Sequence, residues 1–196
     1  FLHPKSLSLR VLQLFSLYKP SFKDSFFFIL VILIFTTKNY LVYKNWSLIL
    51  KNNWSKKIAK NYIKRYKKLG FSEDLALRVY TTRLLGRNKE LVLHGGGNTS
   101  VKTTIKDIDG KKYNVLCVKG SGWDMADIEP PGLPAVKLEP LLALKKKKYL
   151  SDEDMVAYQK RNLIDIKSPN PSVETFLHAF LPYKYVDHTH ADAVMN

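Results

Sequence analysis

The sequence contains a single cysteine, no glycine before residue 70 and no methionine before residue 125, in a chain of 196 residues. One cysteine excludes an internal disulfide framework and a cysteine-based zinc cluster, and it fits a reducing compartment, so we expect a cytoplasmic protein. Hydrophobic residues make up 45% of the chain and charged residues 25%. This composition is typical of a globular chain rather than a disordered one, and the length suits one domain with a possible appendage.

Acidic residues are almost missing from the first 69 positions, where Asp24 is the one acid among 14 lysines and arginines. The rest of the chain holds 18 basic and 16 acidic residues, so the formal net charge of +15 is a local property. We expect no nucleic-acid partner for the domain as a whole, although a nucleic-acid or membrane binder acting through residues 1–69 stays open. Because the chain begins with Phe1 and its first methionine is Met125, we expect that the written start is not an ordinary initiation site.

Residues 1–50 form a basic and apolar leader, followed by the domain proper at 51–196. The apolar run at 26–35 covers about 15 Å as a helix, half of the roughly 30 Å bilayer core, so it cannot span a membrane alone. No small-residue cleavage pattern follows it. A non-native or upstream-translated leader is the favoured interpretation and membrane contact is not expected, although a peripheral anchor and a core strand or helix stay open.

The basic stretch at 56–68 is typical of either a phosphate-binding surface or a solvated helix face. The second interpretation is favoured because apolar and aromatic side chains recur within the stretch and would turn inward together. These side chains are Ile58, Tyr62, Ile63 and Tyr66.

Several sequence signals predict helices. Ser72, followed by two acids, predicts a helix N-terminus, and Ser151 begins a second, capping-box-like pattern. Residues 135–150 are predicted to be largely helical. Asn170 as N-cap with Pro171 at the first helical position predicts a further helix.

Strands are predicted at four places. Residues 90–94 form a short apolar run, and residues 101–105 and 113–118 flank an Asp-Gly pair, which is a strong hairpin signal. Residues 184–194 predict a last strand that carries two histidines.

Those histidines, His188 and His190, would face the same side of a strand, where both rings could reach one ion. Taken alone the pair is weak evidence, since surface pairs are common and a catalytic zinc usually has three protein ligands. Glu174 lies in the first turn of the predicted helix, where it could complement the helix dipole or flank a phosphate bound by Ser172 and free backbone N–H groups. His178 is interpreted as structural or exposed rather than catalytic.

Two loops of glycine and hydroxyl residues, at 95–100 and 119–122, lie at predicted strand ends. Ser100 breaks a dinucleotide fingerprint, Val101 breaks a P-loop and Lys119 breaks a nucleophile elbow. Glycine lets the backbone approach a ligand closely. The loops are therefore suited to holding an anion without nucleophilic chemistry.

Four motifs in chain order resemble the class II aldolase/adducin family. They are GGGNTS at 95–100, KGSGW at 119–123, NPSVE at 170–174 and DHTHA at 187–191. The resemblance covers about residues 52–196 and is strongest to long bacterial members in which a rhamnulose-1-phosphate aldolase-like domain precedes a short-chain dehydrogenase. It implies an α/β protein with a three-layer α/β/α fold and a central mixed sheet, whose C-terminal part we expect beyond Asn196.

The resemblance also implies roles for individual residues. His188 and His190 are implied as two of three histidine ligands of Zn²⁺ or another divalent metal, the third lying beyond Asn196. Glu174 is implied as the acid/base carboxylate, and we expect its pKa to be raised toward neutrality. Val173 stands where simpler aldolases have a second serine. The positions that hold the substrate phosphate correspond to Asn98, Ser121, Gly122 and Ser172.

The implied reaction is metal-dependent retro-aldol cleavage of a sugar phosphate. Rhamnulose 1-phosphate is the favoured substrate, giving dihydroxyacetone phosphate and lactaldehyde in rhamnose catabolism, and the family commonly forms homotetramers. An epimerase or dehydratase on the same fold and a non-enzymatic binding module like the adducin heads stay open. Because one metal ligand is missing from the 196 residues, we expect this chain alone to be weakly active or inactive.

Overall fold

The computed structural model describes residues 53–93 and 95–190. The predicted leader at 1–50, His94 and residues 191–196 lie outside the described residues. Five α-helices and four strands make up the described part, together with short 3-10 turns. The helices are α1 (Lys56–Lys68), α2 (Glu73–Gly86), α3 (Leu138–Ala143), α4 (Asp152–Arg161) and α5 (Thr175–Phe180). The strands are β1 (Asn98–Lys106), β2 (Lys112–Val118), β3 (Ala135–Lys137) and β4 (Tyr185–His188).

The first two helices form an N-terminal pair whose starts are capped by serines. Ser55 accepts a hydrogen bond from the backbone N–H of Ile58, and Ser72 accepts one from Leu75, so each hydroxyl satisfies an otherwise free donor. The helix predicted from Ser72 is therefore confirmed. On α1 the lysines are exposed while Tyr66 is buried, as expected for a solvated face, but Ile58 is 45% exposed and does not turn inward.

The strands form one sheet in the order β3-β2-β1-β4, and every described pair is antiparallel. The predicted hairpin is confirmed, with β1 and β2 joined by a turn in which Gly110 has a φ of 79°. The resemblance implied a mixed sheet, whereas the described strands contain no parallel pair. Parallel pairing needs a crossover that returns the chain in the same direction, and the described connections bring β3 and β4 back in the opposite direction.

Several other local predictions differ from the structure. Residues 90–94 were predicted as a strand, but residues 89–91 form a turn, and Leu91 and Val92 pack against Met125. Their apolar character serves this small cluster instead of a strand ladder. The predicted helix at 135–150 begins as β3, because Val136 pairs with Leu116.

Two C-terminal elements are shorter than predicted: the helix starts later and the strand ends earlier. Pro171 forms a bridge with Gly120 instead of opening a helix, and α5 starts only at Thr175. The strand predicted at 184–194 is shorter, since β4 ends at His188. The second serine-capped helix is confirmed, with Ser151 accepting from the N–H of Asp154.

The core lies on both faces of the sheet because successive side chains of a strand point to opposite sides. On β2, Val115 and Cys117 face a cluster with α1 and α2, while Leu116 and Val118 face a cluster that includes Ala179 of α5. The result is the helix, sheet and helix layering of the expected α/β/α class. Within the described ranges, no helix has the length and apolar character needed to cross a bilayer.

Candidate active site

The candidate site lies where β1 begins and β4 ends. Asn98, the first residue of β1, pairs directly with His188, the last residue of β4. The segment before α5 is held against the same edge, because the N–H of Ser172 donates to the carbonyl of Lys119 at 3.2 Å. Three chain segments that are distant in sequence therefore meet at one end of the sheet.

Glu174 is the centre of this cluster. Its carboxylate oxygen Oε1 lies 2.9 Å from Nδ1 of His188, and the Asn98 side chain also hydrogen-bonds the carboxylate. Burial raises the pKa of Glu174, but the His188 contact and the Asn98 hydrogen bond outweigh burial and bring the pKa down to about 2. The expectation of a pKa raised toward neutrality was wrong, because donors surround the carboxylate. Glu174 is ionised at neutral pH.

His190 lies just past the end of β4, beside His188. The two ring centroids are 4.7 Å apart, with their planes inclined at 60°. The backbone N–H of His190 donates to the carbonyl of Leu91 at 3.0 Å. The pair predicted from the sequence is therefore close in space, although His190 lies beyond the strand and is held by the bond to Leu91.

The glycine loop before β1 makes room for both histidines. A Cβ on Gly96 would lie 3.2 Å from Nδ1 of His190. A Cβ on Gly97 would lie 2.8 Å from the carbonyl oxygen of His188, and Gly97 also has a φ of 71°. Gly97 needs to be glycine because the histidine segment packs directly on its backbone, whereas at Gly96 a side chain would fit only if its neighbours shifted slightly.

The predicted phosphate residues occupy two places in the structure. Ser121 and Gly122 lie on an exposed loop that the N–H of Ser121 ties to the carbonyl of Asn170 at 2.9 Å. The Ser172 hydroxyl accepts from the N–H of Glu174 at 3.2 Å. Asn98 is buried with its amide turned toward Glu174. The loops are thus adjacent, while Asn98 contacts the carboxylate.

Sequence reasoning gave no site role to His178, which the structure brings into the cluster. One ligating atom each of Glu174, His178 and His188 lie within 4.8 Å of one another, so His178 joins this group and His190 does not. The spacing of four residues between Glu174 and His178 was the available signal, since such residues share a helix face. The expectation of a structural role agrees with the burial of His178, which is 0% exposed.

Lys119 is a further residue that the sequence analysis did not assign. Its Nζ lies 3.4 Å from the carbonyl oxygen of Gly95, and the residue is only 7% exposed. Burial lowers the pKa of Lys119, and the Glu174 and Asp124 carboxylates partly oppose this effect. A largely buried amine therefore contacts the glycine loop.

The residues present fit a divalent metal. Imidazole nitrogen and carboxylate oxygen are ligands that zinc accepts, and Glu174, His188 and His190 place them side by side. Contact between Nδ1 of His188 and a carboxylate leaves Nε2 open, which is the arrangement that orients metal-binding histidines in proteins. His188 and His190 would hold the metal, with Glu174 next to it.

The fold and the cluster together define a three-layer α/β domain with a carboxylate and imidazole centre at one sheet edge. Residues 76–196 match the profile of the Class II Aldolase and Adducin N-terminal domain. This match covers more than half of the chain, and the chain belongs to the class II aldolase and adducin family.

Two relatives illustrate this membership. The chain is 48% identical over 118 residues to an uncharacterized oxidoreductase of Bacillus subtilis, YuxG, a match that covers 60% of this chain and 17% of that protein. It is 43% identical to the N-terminal class II aldolase domain of a conserved protein from Thermoplasma acidophilum, with a TM-score of 0.63. That structural match covers 74% of this chain and 62% of the other. The chain thus spans less than two thirds of either relative.

Proposed function

We propose that the protein is a metal-dependent aldolase that cleaves a sugar phosphate, with rhamnulose 1-phosphate as substrate and dihydroxyacetone phosphate and lactaldehyde as products. One observation carries the proposal: the Glu174 carboxylate lies 2.9 Å from His188, whose ring is next to His190. A base and two metal-ligating nitrogens are the groups that carbon–carbon cleavage next to a carbonyl requires.

The roles follow from the chemistry of each side chain. A divalent cation held by His188 and His190 supplies Lewis acidity, which stabilises negative charge on substrate oxygens. Glu174 is ionised at neutral pH, so it has the state of a general base. In the condensation direction Glu174 takes a proton from the carbon next to the carbonyl. In the cleavage direction the substrate hydroxyl loses its proton to solvent as the carbon–carbon bond breaks, and Glu174 must take up a proton from solvent before it can deliver one to the carbon.

The substrate phosphate would lie against the neighbouring loops. The hydrogen bonds from Ser121 to Asn170 and from Ser172 to Lys119 bring these loops together. The φ of 83° at Gly122 turns the exposed loop sharply. Lys119 precedes the Ser121 loop, and its amine, which contacts the Gly95 carbonyl, is a further hydrogen-bond donor in this region. Ser121, Gly122, Ser172 and Asn98 remain the residues proposed to hold the phosphate.

The test uses the complete protein encoded by the gene, assayed with zinc for release of lactaldehyde from rhamnulose 1-phosphate. Glu174→Gln and His190→Ala should each lower kcat/KM by at least about 100-fold, because they remove the base and a metal ligand. Glu153→Gln, at an exposed glutamate on α4, is the matched control and should leave kcat/KM unchanged. Full activity of Glu174→Gln would refute the proposal.

Other reactions on this fold are separated by the substrate. Ribulose 5-phosphate should give neither cleavage nor epimerisation if the proposal is right. Turnover of that sugar without release of an aldehyde would indicate an epimerase instead. Binding of rhamnulose 1-phosphate without any turnover would indicate a binding module.

We also propose that the protein works as a homo-oligomer, a tetramer by family resemblance. Support comes from large apolar side chains that lie exposed on the described surface, namely Tyr149, Ile166 and Val173, which are 73%, 85% and 64% exposed. A subunit interface would remove such side chains from water. Light scattering of the complete protein should give a mass of several subunits, and a monomer would contradict this.

A further inference from the structure

The structure assigns one more residue to this site. We propose that His178 is a positioning residue that donates a hydrogen bond from Nε2–H to the Glu174 carboxylate, in a tautomer fixed by Ser100, and that it is not a metal ligand. The inference rests on the proposed function, because it gives Glu174 a role in the reaction. It separates His178 from the group of three possible metal ligands described above.

The first observation is that His178 is buried and that only one of its two ring nitrogens forms a hydrogen bond. The residue is 0% exposed, and its Nδ1 lies 2.8 Å from the Ser100 hydroxyl oxygen. Its Nε2 is buried and makes no hydrogen bond. A buried polar group without a partner is destabilising, so a partner in the working site is expected.

The Ser100 hydroxyl decides which nitrogen carries the proton. Ser100 is fully buried, and His178 is the one side-chain partner of its hydroxyl among the described residues. If Nδ1–H donated to the hydroxyl oxygen, both the hydroxyl hydrogen and Nε2 would lack partners. If the hydroxyl donates to Nδ1, only Nε2–H lacks one. The second arrangement leaves fewer unsatisfied groups, so Nε2 carries the proton.

This tautomer excludes His178 as a metal ligand. A metal needs a free lone pair on nitrogen, and in His178 the lone pair of Nδ1 faces Ser100 while Nε2 holds a hydrogen. Burial brings the pKa of His178 down to about 3, against the opposing effect of the Glu174 charge. The ring is therefore a neutral donor near the carboxylate and not a second cation.

Glu174 is the acceptor that suits this donor. A ring nitrogen of His178 lies within 4.8 Å of a Glu174 oxygen, and the His178 N–H bonds the Glu174 carbonyl at 3.1 Å. The other groups whose charge acts on His178 are His188, Arg78 and Lys102, and the arginine and lysine side chains can only donate.

Two substitutions in the complete protein separate the two nitrogens. His178→Gln keeps an N–H donor at about the position of Nε2, whereas His178→Asn keeps a polar group only near Nδ1 and Ser100. We expect His178→Asn to lower kcat for lactaldehyde release by about 10-fold to 100-fold with little change in KM, and His178→Gln to stay close to the wild type. Equal activity of His178→Asn and wild type would overturn the inference.

A measurement that needs no activity covers the case in which a variant fails to fold. Nitrogen NMR of the wild-type imidazoles should show His178 with a protonated Nε2 and a free Nδ1, unchanged when Zn²⁺ alone is added. A proton on Nδ1, or loss of the Nε2 proton with zinc, would overturn the inference. If the wild type shows this tautomer but cleaves no sugar phosphate, the proposed function fails and the assignment of the donor stands.

Discussion

At the scale of single residues, the backbone at Gly97 decides how closely the histidine segment can approach. Gly97 combines a positive φ of 71° with a missing Cβ that would lie 2.8 Å from the carbonyl oxygen of His188. Gly95, two residues earlier, has a φ of 76° but open space around its Cβ position. A side chain at Gly95 would meet only backbone strain, whereas a side chain at Gly97 would meet the same strain and a steric clash. Substitutions at the two positions can therefore distinguish the two effects.

We expect Gly97→Ala to lower the free energy of unfolding by about 2 to 4 kcal/mol, because it adds a clash to the left-handed strain. Gly95→Ala is the matched control and should lose only about 1 to 2 kcal/mol from the strain. Urea denaturation of both variants measures the difference. Equal losses would show that the loop moves away from His188 without cost.

At the scale of elements, Asp74 connects three of them. Its carboxylate, in the first turn of α2, accepts a hydrogen bond from Thr103 of β1 at 2.7 Å and pairs with Lys184 before β4 at 2.7 Å. Burial raises the pKa of Asp74, but these partners outweigh it and the net pKa is below its usual value of 3.8. The carboxylate therefore stabilises the fold in its charged form.

The pKa shift of Asp74 predicts a pH dependence. A carboxyl whose pKa is lowered by folding contributes stability above its unfolded pKa and loses it as the pH falls through the folded value. Asp74→Asn should therefore cost about 1 to 2 kcal/mol at pH 7, and this cost should shrink below about pH 4. Urea denaturation at several pH values measures this. Glu73→Gln, at the exposed neighbour, should show neither effect.

Lys102, on the neighbouring strand β1, caps the C-terminal end of α5. Its Nζ donates to the carbonyl oxygens of His178, Leu181 and Tyr183, each at 2.8 Å. Free carbonyls at a helix end favour a cation. Lys102 thereby fixes the helix that carries His178 onto β1.

Lys102→Met should lower the free energy of unfolding by about 2 to 3 kcal/mol, since it leaves three carbonyls without their donor. Lys106→Met removes an exposed lysine from the same strand and should change stability by less than about 0.5 kcal/mol. Thermal melts of the two variants make the comparison. Equal melting temperatures would show that water replaces the lysine.

The elements that the sequence predicted correctly are those decided by neighbouring residues. Ser72 and Ser151 cap their helices through a donor three residues away, and the turn at Gly110 joins adjacent strands. Pro171 failed as a helix start because a distant bridge to Gly120 holds it extended. A pairing across tens of residues leaves no local signal, so periodicity could not reveal it.

In the candidate site, too, the residues could be identified from the sequence, whereas the properties that depend on distant contacts could not. Glu174, His188 and His190 were identified by resemblance and do lie together. The low pKa of Glu174 and the burial of His178 depend on contacts with other segments. No pattern along the chain gives the number of donors around a carboxylate, and this is why the expected direction of the pKa shift was wrong.

At the scale of the whole molecule, metal binding should stabilise the fold. A ligand that binds only the folded chain at 100 times its dissociation constant adds about 2.7 kcal/mol. We expect Zn²⁺ to raise the melting temperature of the complete protein and a chelator to reverse the rise. His188→Ala should respond much less, while Glu153→Gln should respond as the wild type does. An equal response of His188→Ala would place the metal elsewhere.

The hydrogen bond between Ser100 and His178 joins residues 78 positions apart, and β4 can pair with β1 only after the intervening chain has returned. Contacts of such long range close slowly, because the loop entropy must be overcome first. The last step of folding should then be the one that creates the binding centre. The rate at which a metal-sensitive probe responds during refolding would therefore measure how fast the native topology is completed.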